Sequence, residues 1–167
     1  MRKSIVLIIL ACLSASAFAQ SKTTEKLHKK YSDTFALFFY NNTLRMINQG
    51  EDPEFDALIE DVEKMKFLMI NKENFKKDEY QKLIGEYKAE SFEEIMTSRH
   101  QGRNFDVYMK EGSSKGMILA VNDSSSLYVL DIVGSIPLDK VTKFFSTIDE
   151  SSEIGKRIKD FASRDKD

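Results

Sequence analysis

Between residues 92 and 134 the hydrophobic spacing changes from helical to alternating, and three short polar connections divide the stretch. Residues 92–97 read as one strand. Phe105, Val107 and Met109 alternate with Asp106, Tyr108 and Lys110, the pattern of a strand with one face in solvent. Residues 117–121 and 127–133 are more continuously apolar, as central strands are. The connections are Gln101-Gly102-Arg103-Asn104, Gly112-Ser113-Ser114-Lys115-Gly116 and Asn122-Asp123-Ser124-Ser125-Ser126, all rich in turn formers. Connections this short join antiparallel neighbours, since a parallel pair needs a crossover of a dozen or more residues. The stretch therefore predicts an antiparallel meander of about four strands.

Upstream, the helical period dominates. Residues 21–30 are polar and basic, with Leu27 and Tyr31 four apart, and read as a short helix. Residues 34–40 are dense in aromatics and bounded by Asp33 and Asn41-Asn42, which suits a buried strand. A helix continuing from Leu27 through Phe35 and Phe38 competes with that reading. Residues 43–49 read as a short helix capped by Asn41 or Asn42 and stopped by Gly50. Asp52-Pro53 marks a clear helix start, because Asp52 can accept first-turn amide hydrogens and Pro53 has no N–H to lose. Phe55, Leu58, Ile59, Val62 and Met65 then form one apolar stripe. Phe67-Leu68-Met69-Ile70 reads as a strand, and Phe75 or Tyr80, Leu83, Ile84 and Tyr87 as the face of another helix. Pro137 opens a last helix with Leu138, Val141, Phe144, Phe145 and Ile148 apolar, before the charged residues 149–167.

The expected fold is α+β: a mainly antiparallel sheet, with one or two N-terminal strands beside the C-terminal meander and helices packed on one face. The strands near Phe35 and Phe67 are expected to join the meander through helical crossovers, which would make that pair parallel. Phe35, Phe38, Phe55, Phe67, Phe105 and Phe144 are the expected aromatic core.

The first nineteen residues read as an export leader. Arg2 and Lys3 are basic, residues 5–13 are apolar but too short to span a bilayer, and Ala17-Phe18-Ala19 fits a cleavage site before Gln20. The chain divides into leader 1–19, a single α+β domain 20–148 and a charged tail 149–167. Cleavage would remove Cys12, the sole cysteine, together with two basic residues, taking the formal net charge from −2 to −4. Disulfides and thiol catalysis are then excluded. Lipidation at Cys12 is the less favoured alternative, since bulky Leu10 sits poorly beside a cleavage site. The expected location is the periplasm or cell envelope, lipid-anchored only if Cys12 is the processing site. After Leu13 no apolar run approaches the ~20 residues of a membrane helix. The mildly acidic, mixed charge argues against a nucleic-acid partner.

No motif carries identifiable chemistry. His28 and His100 lie in different segments with no second ligand at i+2, i+3 or i+4, so no metal site is read. The acids at 51–63 suit a helix start better than a calcium loop. No G-x-S-x-G elbow, dinucleotide fingerprint or P-loop is present, and neither catalytic residues nor a cofactor are assigned. Arg99, His100 and Arg103 cluster at a turn between strands, where they are weak candidates for an anion-binding patch or simply a solvated turn. Glu93 and Glu94 suit an edge strand blunted by charge.

The order of these elements, with Leu44-Arg45-Met46-Ile47 and the closing run Leu127-Tyr128-Val129-Leu130-Asp131-Ile132-Val133-Gly134-Ser135-Ile136-Pro137-Leu138, resembles the domain-of-unknown-function 4252 family of small exported Bacteroidota proteins over roughly residues 25–148. The resemblance implies an envelope role and carries over no catalytic residue. Many such proteins are lipoproteins, and this leader departs from that pattern. Three functions follow as expectations: a non-catalytic exported binding or accessory module, a small periplasmic hydrolase or lyase using carboxylate, Tyr or His groups, or a structural partner of an envelope or regulatory protein. The oligomeric state is left open.

Overall fold

A computed structural model describes residues 20–48, 52–73, 75, 77–100, 102–112, 114–137 and 139–140. The leader with Cys12 and Ala19, the apolar positions from 141 to 148 and the tail 149–167 lie outside those residues. In chain order the elements are α1 (Lys22–Lys30), β1 (Phe35–Tyr40), α2 (Asn41–Ile47), α3 (Pro53–Ile59), β2 (Val62–Asn71), α4 (Lys77–Ala89), β3 (Glu93–His100), β4 (Arg103–Lys110), β5 (Gly116–Asn122) and β6 (Ser126–Gly134). The fold is α+β. The strands form one six-stranded sheet in the order β1-β2-β6-β5-β4-β3. Every neighbouring pair is antiparallel. β3 to β6 follow one another across it as a meander. Among the described residues no helix is long and apolar enough to cross a membrane.

The expected parallel pairing of the two N-terminal strands is corrected. β1 and β2 are antiparallel, with Tyr40 opposite Lys64 and Phe35 opposite Met69. The chain leaves β1 at Tyr40 and re-enters at the adjoining end of β2. The short helices α2 and α3 are therefore an excursion at one end rather than a crossover along the sheet. A true crossover does exist, but α4 makes it, carrying the chain from β2 to β3 at the far edge.

The expected helix through Met65 also ends early. Asp52 caps α3 by accepting the Glu54 amide, 2.9 Å, with Pro53 in the first turn, but the helix stops at Ile59. Val62 and Met65 fit a strand period as well, and pairing with β6 from Val62↔Gly134 to Asn71↔Ser126 recruits them to β2. Gly134 is required there: its φ is +110°, and a Cβ would lie 1.9 Å from the Asp61 carbonyl oxygen. Neither Asn41 nor Asn42 caps α2. Tyr40 holds that position, while the Asn41 amide donates to the carbonyls of Ile59 (3.3 Å) and Val62 (2.7 Å) and clasps the α3–β2 junction.

Helices on a single face describe only part of the packing. Leu27 of α1 and Tyr80, Leu83, Ile84 and Tyr87 of α4 share one buried cluster with Leu68, Ile70, Tyr108, Ile118, Ala120, Leu127 and Val129. Leu44 of α2 and Leu58 and Ile59 of α3 join a second cluster with Met65, Val107, Met117, Leu119, Leu130 and Ile132. The strand residues alternate between the clusters, so helices cover both faces of the sheet. Burying Leu83 or Ile84 contributes roughly 1.5–3 kcal/mol each, which holds a helix that would be marginal alone. β4 is accordingly not half in solvent, since Asp106, Val107 and Tyr108 are all buried. The expected aromatic core is corrected too: Phe38 is half exposed, Phe35, Phe55, Phe67 and Phe105 are partly buried, and Phe144 lies outside the described residues. Phe75, Tyr80, Tyr87, Phe92 and Tyr108 fill that role.

Candidate functional site

The β3–β4 hairpin places the three cationic candidates together in the ladder, with His100 opposite Arg103 and Arg99 opposite Asn104. The hairpin end adjoins the β5–β6 turn. There Arg103 reaches the Asp123 carboxylate at 4.0 Å. Burial would raise the Asp123 carboxyl. The amides of Ser126 and Ser125, the Ser125 hydroxyl and the Arg103 guanidinium outweigh it and hold the group below the usual carboxylate range. Arg103 thus has an acidic neighbour, while Arg99 is exposed. Glu93 and Glu94 lie exposed on β3, an edge strand with a bulge between Glu94 and Met96.

Two buried acids that the sequence reading passed over are the more elaborate polar sites. Asp106 points under α4, where the Tyr80 hydroxyl donates to one carboxylate oxygen and the Thr97 hydroxyl to the other at 2.5 Å. Burial, then the bond to Asp106, pushes Tyr80 far above the usual phenol range, so its proton stays in place as a donor.

Asp131 lies under the start of α1. Its cross-strand neighbour on β2 is Lys66, a lysine only 1% exposed. The Ser21 amide donates to Asp131 at 3.0 Å, and the Thr24 hydroxyl bonds to it as well. Burial pushes Asp131 up to about 6 despite those bonds and the Lys66 charge. Lys66 Nζ pairs with Glu25 at 2.8 Å and lies 5.0 Å from the Phe38 ring centroid. The bond from Lys66 holds Glu25 below its ordinary value, while burial and then Lys66 lower His28, which packs on Phe38. Glu90, from the end of α4, takes the amides of Lys22 (3.0 Å) and Thr23 (2.6 Å) and the hydroxyls of Ser21 (3.2 Å) and Thr23 (2.5 Å). Acidic oxygens at a helix start oppose the positive end of its dipole. Ser21 caps the helix itself, accepting from the Thr23 and Thr24 amides. The Thr24 hydroxyl also meets the Tyr87 hydroxyl at 2.9 Å, and burial raises Tyr87 far above its ordinary value. This network seats α1 on the sheet. A lone acid in the apolar run 127–133 and a lone lysine in 65–70 were its visible signals.

Among the described residues an open groove lies between α1 and α4, about 250 Å³. Leu27, Tyr31, Phe75 and Leu83 supply apolar lining, and Lys26, Lys30, Lys82, Glu79 and Glu86 supply charge. Lys30 and the Tyr31 hydroxyl (2.7 Å) both bond to Glu79, and Lys26 is 3.9 Å from Glu86. The Glu79 bond raises Lys30, and burial followed by that carboxylate raises Tyr31. Small-molecule sites occupy roughly 300–1,000 Å³, so this groove suits a side chain or two of a partner better than a whole cofactor. Among the described residues no three His, Cys, Asp or Glu side chains are grouped to hold a metal ion.

No curated protein and no solved structure matches the chain. The family described as a domain of unknown function, DUF4252, matches residues 28–144, more than half of the chain, and the chain belongs to that family.

Proposed function

We propose that this protein is an exported, non-catalytic binding module of the cell envelope that engages a partner protein through the groove between α1 and α4. The observation that carries the reading is where the reactive-looking groups lie. Asp106 and Tyr80 bond to each other beneath α4, and Asp131 bonds to residues of α1 that cover it. Among the described residues no buried side-chain nitrogen or oxygen lacks a partner. A catalytic acid or base needs a reacting atom within hydrogen-bond reach, and these groups spend their reach on the protein itself. The groove, in contrast, is open, and its apolar and aromatic lining (Leu27, Tyr31, Phe75, Leu83) lies beside charged side chains, as the apolar centre of a docking surface lies beside a polar rim. The leader pattern of residues 1–19 supports export to the periplasm or envelope, with Cys12 acylation as the variant that would tether the domain.

The test is a photo-crosslinking residue at position 82, in the groove, and separately at position 60, at the exposed end of α3. Both chains are expressed in full in cells that export them. One discrete adduct from position 82, absent from position 60, is expected. Equal or absent adducts from both positions, with turnover of a screened ester, amide or glycoside substrate by the purified chain, would overturn the reading in favour of the hydrolase.

A further inference from the structure

The two edges of the sheet are treated differently. β3 carries Glu93, Glu94 and Arg99 and a bulge, all devices that discourage another strand from pairing. β1, the opposite edge, reads Phe-Ala-Leu-Phe-Phe-Tyr, with no charge, no proline and an unbroken register against β2. It also exposes large apolar side chains: Phe38 is 50% exposed and Tyr40 63%, and Met46 on the helix that follows is 75% exposed. An uncharged, aromatic, regular edge is a template for strand addition.

We propose that β1 pairs with β1 of a second copy of this chain, antiparallel across a two-fold axis through Phe38, to make one continuous twelve-stranded sheet. Self-pairing is favoured by the sequence of the strand. A two-fold axis perpendicular to the sheet keeps each face on its own side, so residues of like parity must meet. Centring the axis on Phe38 sets Phe38 against Phe38 of the copy, Tyr40 against Ala36 and Leu37 against Phe39. The half-exposed rings then meet each other, and the largest exposed side chain lies over the smallest residue of the strand. Within the strand pair no like charges are opposed, because β1 has none, and Lys66, which lies against the Phe38 ring, is already paired with Glu25. Isologous contacts of this kind are the commonest route to a dimer. Six residues of edge make a small interface, at the weak end of the range where specific contacts bury below about 1,200 Å², so the dimer is expected to be concentration-dependent.

The test uses the chain exported and processed by the cell, in a Cys12→Ser background, with Phe38→Cys or Tyr40→Cys. Directly opposed residues bring their Cα atoms to about 4.5–5.5 Å, inside the roughly 4.4–6.8 Å over which a disulfide closes. Positions 40 and 40 of the pair stand about four residues apart along the strands, roughly 13 Å. Oxidation is expected to give at least ten times more disulfide dimer from Phe38→Cys than from Tyr40→Cys. Sedimentation equilibrium of the unmodified chain is expected to show monomer and dimer in exchange, and Phe38→Glu, with unchanged circular dichroism, to shift it to monomer. Equal yields at both positions, or a monomer at every concentration up to about 100 µM, would overturn the proposal. The groove test is independent of it, since the groove lies between α1 and α4 and not on the β1 edge.

Discussion

Relative to wild type, the Asp131→Asn variant is expected to gain stability as pH rises from 4 to 7. The Asp131 carboxyl moves from 3.8 when free to about 6 in the folded protein. At about 1.4 kcal/mol per factor of ten, that displacement corresponds to roughly 3 kcal/mol. Burial is its largest cause, and the Thr24 hydroxyl, the Ser21 amide and the Lys66 charge counter only part of it. Glu90 adds to the upward push. The folded state thus binds this proton more tightly than the unfolded chain does. The associated stability is fully present below 3.8 and is lost as pH rises to about 6. Asn keeps an acceptor oxygen for the Ser21 amide and cannot ionise. The stability difference, Asn minus Asp, should therefore grow in favour of Asn by about 2 kcal/mol between pH 4 and pH 7, part of the window already having passed at pH 4. Urea unfolding followed by circular dichroism at both pH values measures it. Glu25 and Asp123, held low in the folded state, contribute stability that is lost as pH falls. Asp123, at the β5–β6 turn, acts equally in both proteins and cancels in the difference, and Glu25, which is coupled to Asp131 only through Lys66, keeps its Lys66 partner in both. Parallel stability curves, or an Asn variant weaker than wild type at pH 7 by the amount it is weaker at pH 4, would refute the assignment of burial as the governing cause.

Other expected outcomes follow from single contacts. Tyr80→Phe removes one of two donors to buried Asp106 and should cost about 1–3 kcal/mol in urea unfolding, the penalty for an under-satisfied buried acceptor. Gly134→Ala places a Cβ 1.9 Å from the Asp61 carbonyl oxygen at a φ of +110°. It should cost several kcal/mol, seen as loss of a cooperative thermal transition, whereas Gly85→Ala, with nothing within 4 Å of the added Cβ, should be neutral or stabilising by about 1 kcal/mol. Arg103→Ala should change stability by less than about 1 kcal/mol, because its contact with Asp123 is a 4.0 Å pair with Arg103 more than half exposed.

The meander and the Asp52-Pro53 helix start were legible because both are written locally: turn residues at short intervals, a cap followed by proline. Val62 and Met65 were not. They fit the helical stripe begun by Phe55 and also a strand period, and the choice is made by β6, some sixty residues downstream. The same non-locality hid the polar sites. Alternation in β4 directs Asp106 away from Val107, but only the arrival of α4 turns that side into interior. Lys66 and Asp131 were each visible as a solitary charge in an apolar run. That they are neighbours depends on the β2–β6 register, which neither run contains. Arg99, His100 and Arg103 were read as a turn between strands; the strands extend further, so these residues pair in the last rungs of the β3–β4 ladder, while the acidic neighbour of Arg103 arrives from the next hairpin. The groove between α1 and α4 has no sequence signature at all, because its sides meet only through the crossover that brings α4 over the sheet.

Binding through that groove is tested most directly by hydrogen–deuterium exchange on the processed chain, alone and with the partner identified by crosslinking from position 82. Slower exchange confined to Lys26–Tyr31 and to Glu79–Glu86, the two sides of the groove, is the predicted result. Protection elsewhere on the molecule with these segments unchanged would contradict it.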